Sequence, residues 1–285
     1  MRISYNMPAL TINLLQNQAL NRQSGALSRI SSGIKINSAA DDPGAFVQSE
    51  NIRLQVGGLQ TAASNVQDGI SMLQTAEGGL QEITSMVQRI KTLTIQAGDG
   101  ATTQDDREKI QGEIDQMIDG VDAMAKDSDF NGLKMLSGNG NQSLTMQVGA
   151  NYGESVEIPQ YELSNTSDGT SKISELYKIK TGAGNDILSG NIDSTLSSID
   201  SVLDTVVSAR SKYGALENKF QSNYDNMQSL TDEMTAADSS IRDSDISEEI
   251  MNYSKEGIII QASTAMIAQA NKLPQDVLSI LQNVK

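Results

Sequence analysis

The sequence predicts a mainly α protein, in which a long antiparallel helical coiled-coil rod carries a small β-hairpin region and the chain termini form a second, two-helix coiled coil. Two stretches of about fifty residues, 46–97 and 192–241, carry apolar residues at the seven-residue spacing that places them on one helical face. The segment between them is rich in turn residues. Aromatic residues make up only 4% of the chain. This low content argues against one thick globular core, because aromatic side chains usually dominate core burial.

Composition restricts the possible functions of this chain of 285 residues. It contains no Cys, His or Trp, which excludes a disulfide framework, zinc-finger sites, haem ligation and iron–sulfur ligation. The net charge of −15 argues against nucleic acid as a partner, since phosphate binding needs a basic surface. No transmembrane segment and no Sec-type signal peptide are visible in the sequence. If the protein leaves the cell, we expect a route that needs no cleaved hydrophobic signal.

The N-terminal segment predicts one helix over residues 9–31. Its apolar residues are spaced by three and four, and Gly33 is available as a left-handed C-cap. A polar connector follows, in which Asp41 or Asp42 can cap the next helix with Pro43 in its first turn.

The long helix that follows carries an unbroken seven-residue repeat. Glycine pairs at 57–58 and 78–79 lie inside it, and each glycine costs roughly 1 kcal/mol relative to alanine. They are either weak points or points of close packing. The repeat consists of Ile52, Leu59, Val66, Leu73, Leu80 and Val87.

A shorter helix is predicted to begin at Thr103, where Thr103 and Asp106 resemble a capping box. The loop before it has about six residues, and such a short loop folds two helices back as an antiparallel pair.

Residues 128–191 predict short hairpin strands. Asn-Gly and Tyr-Gly pairs at 131–132, 139–140 and 152–153 are turn signals, and residues 144–148 and 156–158 alternate between apolar and polar. A Ser/Thr/Gly/Asn-rich surface loop is expected near 164–172.

Residues 192–241 provide the partner for the long helix. Leu203, Val206 and Phe220 belong to their stripe, which has alternating spacings of four and three. Arg210 and Glu217 lie seven apart within that stripe and predict charge in or beside the seam. An acidic segment then leads to a last amphipathic helix from about Ile259, with Pro274 as an expected kink or break. The two ends of the chain are expected to meet.

Several segments resemble the bacterial flagellins. The resemblance covers roughly residues 1–151 and 190–285, in the same order along the chain. The matching segments are residues 31–43 (SSGIKINSAADDP), 67–71 (QDGIS), 74–78 (QTAEG), 113–116 (EIDQ), 130–132 (FNG), 147–151 (QVGAN), 241–246 (IRDSDI), and 261–262, 268–271 and 273–275 in the last helix.

The resemblance implies a secreted, extracellular subunit of the flagellar filament that is exported unfolded through the flagellar type III apparatus. Its implied partners are copies of itself, an export chaperone, and filament cap and junction proteins, with no cofactor, nucleic acid or membrane insertion. Residues 1–42 and 245–285 would form an inner core domain, and residues 43–244 an outer core domain with its β-hairpin region at about 128–190. Residues 152–190 stand where larger flagellins carry variable outer domains.

The stripes of the terminal helices are expected to be buried only when subunits assemble. The residues predicted to pack the inner core of the filament are Leu20, Leu27, Ile30, Ile259, Met266, Leu273, Val277 and Ile280.

The resemblance also implies a site of immune recognition. Flagellins detected by the flagellin-sensing Toll-like receptor carry an Arg and a Leu in a Gln-Arg-x-Arg-Glu-Leu motif, and a Glu on the next helix. Residues 88–93 match this motif with Arg89 and Leu93, and Glu113 fits the third position. Lys91 and Thr92 depart from the motif. Both Arg89 and Leu93 are expected to face outward until a neighbouring subunit or a receptor covers them.

Other functions have weaker support in the sequence. Residues 127–132 imitate the start of an EF-hand loop, but Gly138 stands where a bidentate Glu is needed, so a turn is predicted instead. The acidic cluster at 243–249 is better explained by helix capping than by a metal or acid–base site. No nucleophile–base pair predicts an enzyme. A hook–filament junction protein of the same superfamily is the alternative function, and a secreted coiled-coil adhesin is a more distant one.

Overall fold

The protein is described here by a computed structural model that covers residues 6–137, 143–165, 171, 173–182 and 186–283. Two compact units divide the chain: Met1–Leu54 together with Glu233–Lys285, and Gln55–Asp232. The domain boundaries predicted from the sequence concern the layers of an assembled filament, and they stay a prediction.

The fold class predicted from the sequence is confirmed. The described residues form long helices joined by two small hairpins. In chain order the elements are α1 (Met7–Ser32), α2 (Pro43–Ala97), α3 (Gln104–Asp127), β1 (Asp129–Phe130), β2 (Leu133–Lys134), β3 (Ser143–Gln147), β4 (Ser155–Pro159), α4 (Ser174–Tyr177), a 3₁₀ turn (Ile187–Ser189), α5 (Ile192–Arg242) and α6 (Ile246–Asn283).

Side chains and one glycine set the helix ends as the sequence predicts. Gly33 ends α1 with φ of 73°, in the left-handed region that a residue with a Cβ rarely adopts. Asp42 starts α2, because its carboxylate accepts from the backbone N–H groups of Gly44 (2.9 Å) and Ala45 (3.1 Å). Thr103 caps α3 through the N–H of Asp106.

In the first unit, α1 and α6 lie against each other in antiparallel order. Residue numbers fall along α6 as they rise along α1: Gln16 donates to Thr264, Arg22 pairs with Glu256 and Arg29 with Glu249. The two ends of the chain therefore meet, as predicted.

Helix α6 continues through Pro274 to Asn283, so of the two predicted alternatives the break is wrong and the kink stays a prediction. The proline removes one backbone N–H from the helix but not the helical run. The side chains of Leu273, Val277 and Ile280 lie outside the described residues.

In the second unit, α2 and α5 pack in antiparallel order along the predicted seam. The seam residues Leu59, Val66, Leu73, Leu80, Val87, Val206 and Phe220 are all buried. Leu203 is only half-buried, because Val202 beside it takes the buried position. The predicted charges lie at this seam: Arg210 approaches Glu77 at 3.6 Å, and Gln74 donates to Glu217 at 2.7 Å.

Three glycines let the hairpin region approach α2 closely. A Cβ at Gly58 would lie 2.9 Å from the Cβ of Ala150, and one at Gly79 would lie 3.0 Å from Ser128 Oγ. At Gly69 a Cβ would lie 2.6 Å from Met146 Sδ. Gly57 and Gly78 have no atom within 4 Å of such a Cβ. The first glycine of each pair is therefore dispensable for packing, and the second is a point of close approach.

Both described hairpins are antiparallel, as predicted. In the first, β1 and β2 are joined by Asn131 (φ 52°) and Gly132 (φ 80°), the positive angles that a tight hairpin turn requires. In the second, β3 pairs with β4 from Ser143–Pro159 to Gln147–Ser155. The predicted turn at 139–140 lies outside the described residues.

The connector between β4 and α5 is more buried than the sequence predicts at the residues that the structure describes, which are 161–165, 171, 173–182 and 186–190. Ser164 and Ser171 are 5% and 7% exposed, so the expectation of a surface loop near 164–172 is wrong at these two positions. The reason is a small apolar cluster in the same segment, which holds the backbone against α3. Its fully buried members are Leu163, Ile173, Leu176, Ile179 and Ile187.

Candidate functional site

The α1–α6 pair places its larger apolar side chains outward. Its buried positions are small or polar, among them Ala19, Ala26, Ser263 and Ala270. The large apolar side chains that remain exposed are Met7, Leu10, Leu14, Leu15, Leu20, Leu27, Ile246, Ile250, Met251, Ile258 and Met266. An isolated pair of amphipathic helices would bury the large side chains in its own seam. The arrangement leaves a broad apolar surface for another molecule.

The residues predicted to pack an inner core fall into three groups. Leu20, Leu27 and Met266 are 45%, 52% and 57% exposed in the single chain. Ile30 and Ile259 are half-buried. Leu273, Val277 and Ile280 have no described side chains. Their role in packing the inner core of a filament stays a prediction.

Ion pairs rather than apolar contacts fix the register of α1 against α6. Arg29 donates to both carboxylate oxygens of Glu249, through Nε at 2.7 Å and Nη2 at 3.2 Å. The hydrogen bond to Glu249 raises the pKa of Arg29 above its ordinary value. Such a two-point contact is directional, so it specifies register more sharply than apolar packing does.

Two of the three residues of the predicted recognition site, Arg89 on α2 and Glu113 on α3, come together in the structure. Arg89 Nη2 lies 2.7 Å from Glu113 Oε1, and both side chains are about half exposed, at 51% and 42%. This pair forms an open polar surface that bridges the two helices. The Lys91 amine lies 2.5 Å from Asp200 on α5, so the neighbouring cation belongs to the α2–α5 side of the rod.

Leu93 does not face outward. It is 2% exposed, and the expectation that it would lie on the surface with Arg89 is wrong. Residue 93 is about 40° from residue 89 around the helix, on the side that α3 covers. A Cβ added at Gly120 of α3 would lie 3.1 Å from Met86 Sδ of α2, which marks the same contact between the two helices. Leu93 is therefore a packing residue of the single chain, whereas Arg89 and Glu113 remain accessible.

Other candidate sites are explained by local structure. The EF-hand-like residues form the end of α3 and the β1–β2 turn. Asp245 caps α6 by accepting from the N–H of Ser247 at 2.8 Å, as predicted for the acidic cluster. Among the described residues, no group of three or more His, Cys, Asp and Glu could hold a metal ion, and no helix is long and apolar enough to cross a membrane.

A polar clamp on α3 is present that the sequence pattern does not predict. Gln111 is 1% exposed, and its side chain donates to the Ile179 carbonyl (2.9 Å) and accepts from the Ile187 N–H (3.0 Å). One turn later, Asp115 accepts from the N–H of Thr181 at 3.2 Å. The signal was present, because both polar residues share the face beside the apolar stripe of α3. This pattern could not be interpreted from the sequence, because the sequence does not show that the connector between β4 and α5 packs against this face of α3.

Comparisons with known proteins agree with these features. Residues 3–141 match the bacterial flagellin N-terminal helical region, and residues 196–281 match the bacterial flagellin C-terminal helical region. The chain is 34% identical to the flagellin of Bacillus subtilis (strain 168), over 99% of this chain and 100% of that protein. It is 32% identical to the flagellar filament 31.3 kDa core protein of Treponema maltophilum, with the same coverage.

One solved structure has a similar fold. A putative flagellar hook-associated protein from Vibrio parahaemolyticus superposes with a TM-score of 0.58 at 16% identity, over 71% of this chain and 100% of that chain. At that identity the likeness concerns the fold alone.

Proposed function

The chain belongs to the bacterial flagellin family and is a structural, non-enzymatic subunit of the extracellular flagellar filament, and from that premise we propose how it is exported and assembled. It leaves the cell unfolded through the flagellar type III apparatus. It then polymerises through the exposed apolar surface of α1 and α6. Residues 1–42 and 245–285 form the inner layer of the filament, and residues 43–244 form the outer layer.

The observation that carries this proposal is the outward placement of large apolar side chains on both terminal helices. Leu27 and Met266 are more than half exposed, although a single chain gains nothing from keeping them in water. Burying one such side chain contributes roughly 1.5–3 kcal/mol. Contacts with neighbouring copies would bury many of them at once, so folding of the terminal pair is coupled to assembly.

Polymerisation of serine variants tests the proposal. Leu27→Ser and Met266→Ser each remove an apolar side chain from the proposed contact, and each should raise the critical concentration for filament growth at least tenfold. Leu133→Ser is the control, because Leu133 is also exposed (43%) but lies on the β1–β2 hairpin. Equal critical concentrations for all three variants and the unaltered chain would contradict the proposal.

Export is tested separately in cells. The unaltered chain should appear outside the cell only when the type III apparatus is functional, and it should accumulate inside when the export gate is deleted. The chaperone is proposed to bind within α6, while cap and junction proteins meet the assembled chain. Secretion that persists without the apparatus would refute the route and leave the filament function intact.

The Arg89–Glu113 pair is proposed as the surface that the flagellin-sensing Toll-like receptor contacts. Its support is the exposed charge pair, at 2.7 Å, in the position the family motif assigns. Arg89→Ala should lower activation in a receptor reporter assay while leaving the helical circular dichroism unchanged. Lys109→Ala, another exposed cation of this unit, is the matched control. Equal activation by Arg89→Ala and Lys109→Ala would remove Arg89 from the contact.

A further inference from the structure

The β3–β4 hairpin carries a solvent-exposed aromatic side chain. Tyr152 is fully exposed at its tip, beside Gly153, which has φ of 88°. A fully exposed tyrosine is unusual in this chain, where Tyr213 is completely buried. Tyrosine rings that carry an apolar face and a polar end are frequent contacts between proteins.

The tip is held in one shape before any contact is made. The Glu154 carboxylate accepts from the backbone N–H of Asn151 at 3.0 Å and from its side chain at 3.1 Å. Gln147 donates to the carbonyls of Gly149 (3.1 Å) and Asn151 (2.8 Å). A loop that is already ordered loses little conformational entropy when it docks. Tyr152 is therefore presented rigidly.

A groove between α2 and α5 lies at the same height along α2. It has a volume of about 270 Å³, and Gln60, Ala63, Ser64, Gln67, Tyr224 and Gln228 line it. The lining combines the small Ala63, the Tyr224 ring, side-chain amides and hydroxyl groups. This lining suits a phenol, because the ring can pack against Tyr224 while the hydroxyl reaches an amide.

The tip and the groove lie on opposite sides of α2. Gly58 and Asn65 face the hairpin, through Ala150 and the Gln147 carbonyl. At about 100° per residue, the groove residues 60, 63, 64 and 67 lie roughly 110–170° away from that face. A projection on one side and a recess on the other make a head-to-tail contact that can repeat without closing. Helical filaments require contacts of this kind.

Charge favours the same pairing. The chain carries a net charge of −15, so copies that polymerise need contact surfaces where like charges do not meet. Residues 149–153 are uncharged, as are all the residues that line the groove. We infer that Tyr152 at the hairpin tip of one copy docks in the α2–α5 groove of a second copy, a lateral contact in the filament. This inference rests on the proposed polymer.

Engineered cysteines test the contact, because the chain has no cysteine of its own. Filaments are grown from Tyr152→Cys/Ser64→Cys protein under reducing conditions and are then oxidised. Within one chain, Ser64 points about 110° away from the face of α2 that meets the hairpin, and dilute monomer is oxidised in parallel to detect any disulfide formed within a chain. A covalent ladder of many subunits is expected from filaments, and no ladder from dilute monomer.

The control pair is Tyr152→Cys/Ser208→Cys, because Ser208 is exposed on α5 but lies about four turns from the groove. It should give dimers at most, as should either single variant. Filaments that form normally and yield no ladder, or equal ladders from both pairs, would overturn the inference. Failure of the unaltered chain to polymerise at all would instead overturn the proposed function.

A growth measurement completes the test. Tyr152→Ala should raise the critical concentration about tenfold, and Tyr152→Phe should leave it within about threefold of the unaltered value, because the ring supplies most of the contact. The groove variant Ala63→Phe fills the recess and should match Tyr152→Ala. Unchanged growth of both Tyr152→Ala and Ala63→Phe would exclude the contact.

Discussion

The side-chain amide of Asn6 donates a hydrogen bond to the backbone carbonyl of Ala270 at 3.0 Å. Ala270 lies four residues before Pro274, and in a regular helix its carbonyl would accept from the backbone N–H of residue 274. Proline has no such N–H. Asn6, at the start of α1, therefore supplies the donor that α6 lacks, and it also caps α1 by accepting from the N–H of Ala9.

This relationship predicts that the effect of changing Asn6 depends on Pro274. Asn6→Ser keeps a capping oxygen but loses the donor, so it should destabilise filaments by about 1 kcal/mol, or roughly fivefold in critical concentration. In a Pro274→Ala background the helix supplies its own donor, and the same change should have less than half that effect. A double-mutant cycle measures the difference. Identical effects in both backgrounds would show that the Asn6 amide does not replace the N–H that residue 274 lacks.

The glycine pair at 57–58 gives a second prediction. Gly57→Ala should stabilise the protein by about 1 kcal/mol, because its position is an exposed helix interior. Gly58→Ala should destabilise it by about 1–3 kcal/mol, since its Cβ would lie 2.9 Å from Ala150. Denaturant unfolding of the two variants measures the free energies, and each serves as the control for the other. Equal stabilisation by both would mean that the hairpin does not approach α2 this closely.

Alanine variants of Arg89 and Leu93 should have different effects on the stability of the protein and on its recognition by the receptor. Leu93→Ala removes a buried side chain and should lower the free energy of unfolding by about 2–5 kcal/mol. Arg89→Ala breaks an exposed ion pair and should change it by less than about 1 kcal/mol. In a receptor reporter assay, Leu93→Ala should therefore lose activity in parallel with its loss of helicity, whereas Arg89→Ala should lose activity while fully folded. A folded Leu93→Ala protein with no activity would place Leu93 in the contact itself.

How far the sequence determines the fold differs between its parts. The long helices were predictable because a repeat such as Leu59 to Val87 is compatible with one structure only, a helix with these residues on its buried face. Capping residues such as Asp42 set the helix ends. The burial of Leu93 was not predictable, because the apolar stripe of α2 indicates one partner helix, α5, whereas α3 packs on α2 as a second partner. The outward apolar side chains of α1 were predicted only in part, since spacing shows which residues share a face and not which of two faces meets α6.

The connector was the least predictable part for a different reason. Its burial depends on single contacts such as the hydrogen bond between Gln111 and Ile179. A periodic sequence pattern does not predict contacts of this kind. The seven-residue repeat predicts which residues share a face within one helix, whereas this clamp joins segments about seventy residues apart in the sequence.

Burial of Tyr213 predicts a loss of stability in alkali. Burial raises the pKa of Tyr213 well above its ordinary value of 10.0, and its hydroxyl donates to the Pro159 carbonyl at 2.9 Å. The folded protein keeps this phenol protonated while the unfolded chain ionises above pH 10. The stabilisation is therefore complete below pH 10 and falls by about 1.4 kcal/mol per pH unit above it.

Denaturant unfolding at pH 8 and pH 11 measures this dependence. Tyr213→Phe should be less stable than the unaltered chain at pH 8 by about 1–3 kcal/mol, because the Pro159 carbonyl loses its donor. The difference should narrow or reverse at pH 11. Tyr152→Phe removes an exposed phenol and serves as the control. A constant difference at both values of pH would show that Tyr213 ionises in the folded state.

The Gln111 clamp predicts local opening of the connector. Gln111→Leu keeps an apolar stem on α3 but leaves the Ile179 carbonyl and the Ile187 N–H without that partner, and about 2 kcal/mol of local stability should be lost. Trypsin reports the opening because its cleavage sites Lys178 and Lys180 lie on either side of Ile179, whose carbonyl Gln111 binds. Cleavage there should become roughly thirtyfold faster when opening is rapid and reversible. Glu108→Leu, an exposed position on the same helix, should leave the rate unchanged. If Gln111→Leu instead sped cleavage equally at lysines throughout the chain, the clamp would stabilise the whole unit and not the connector alone.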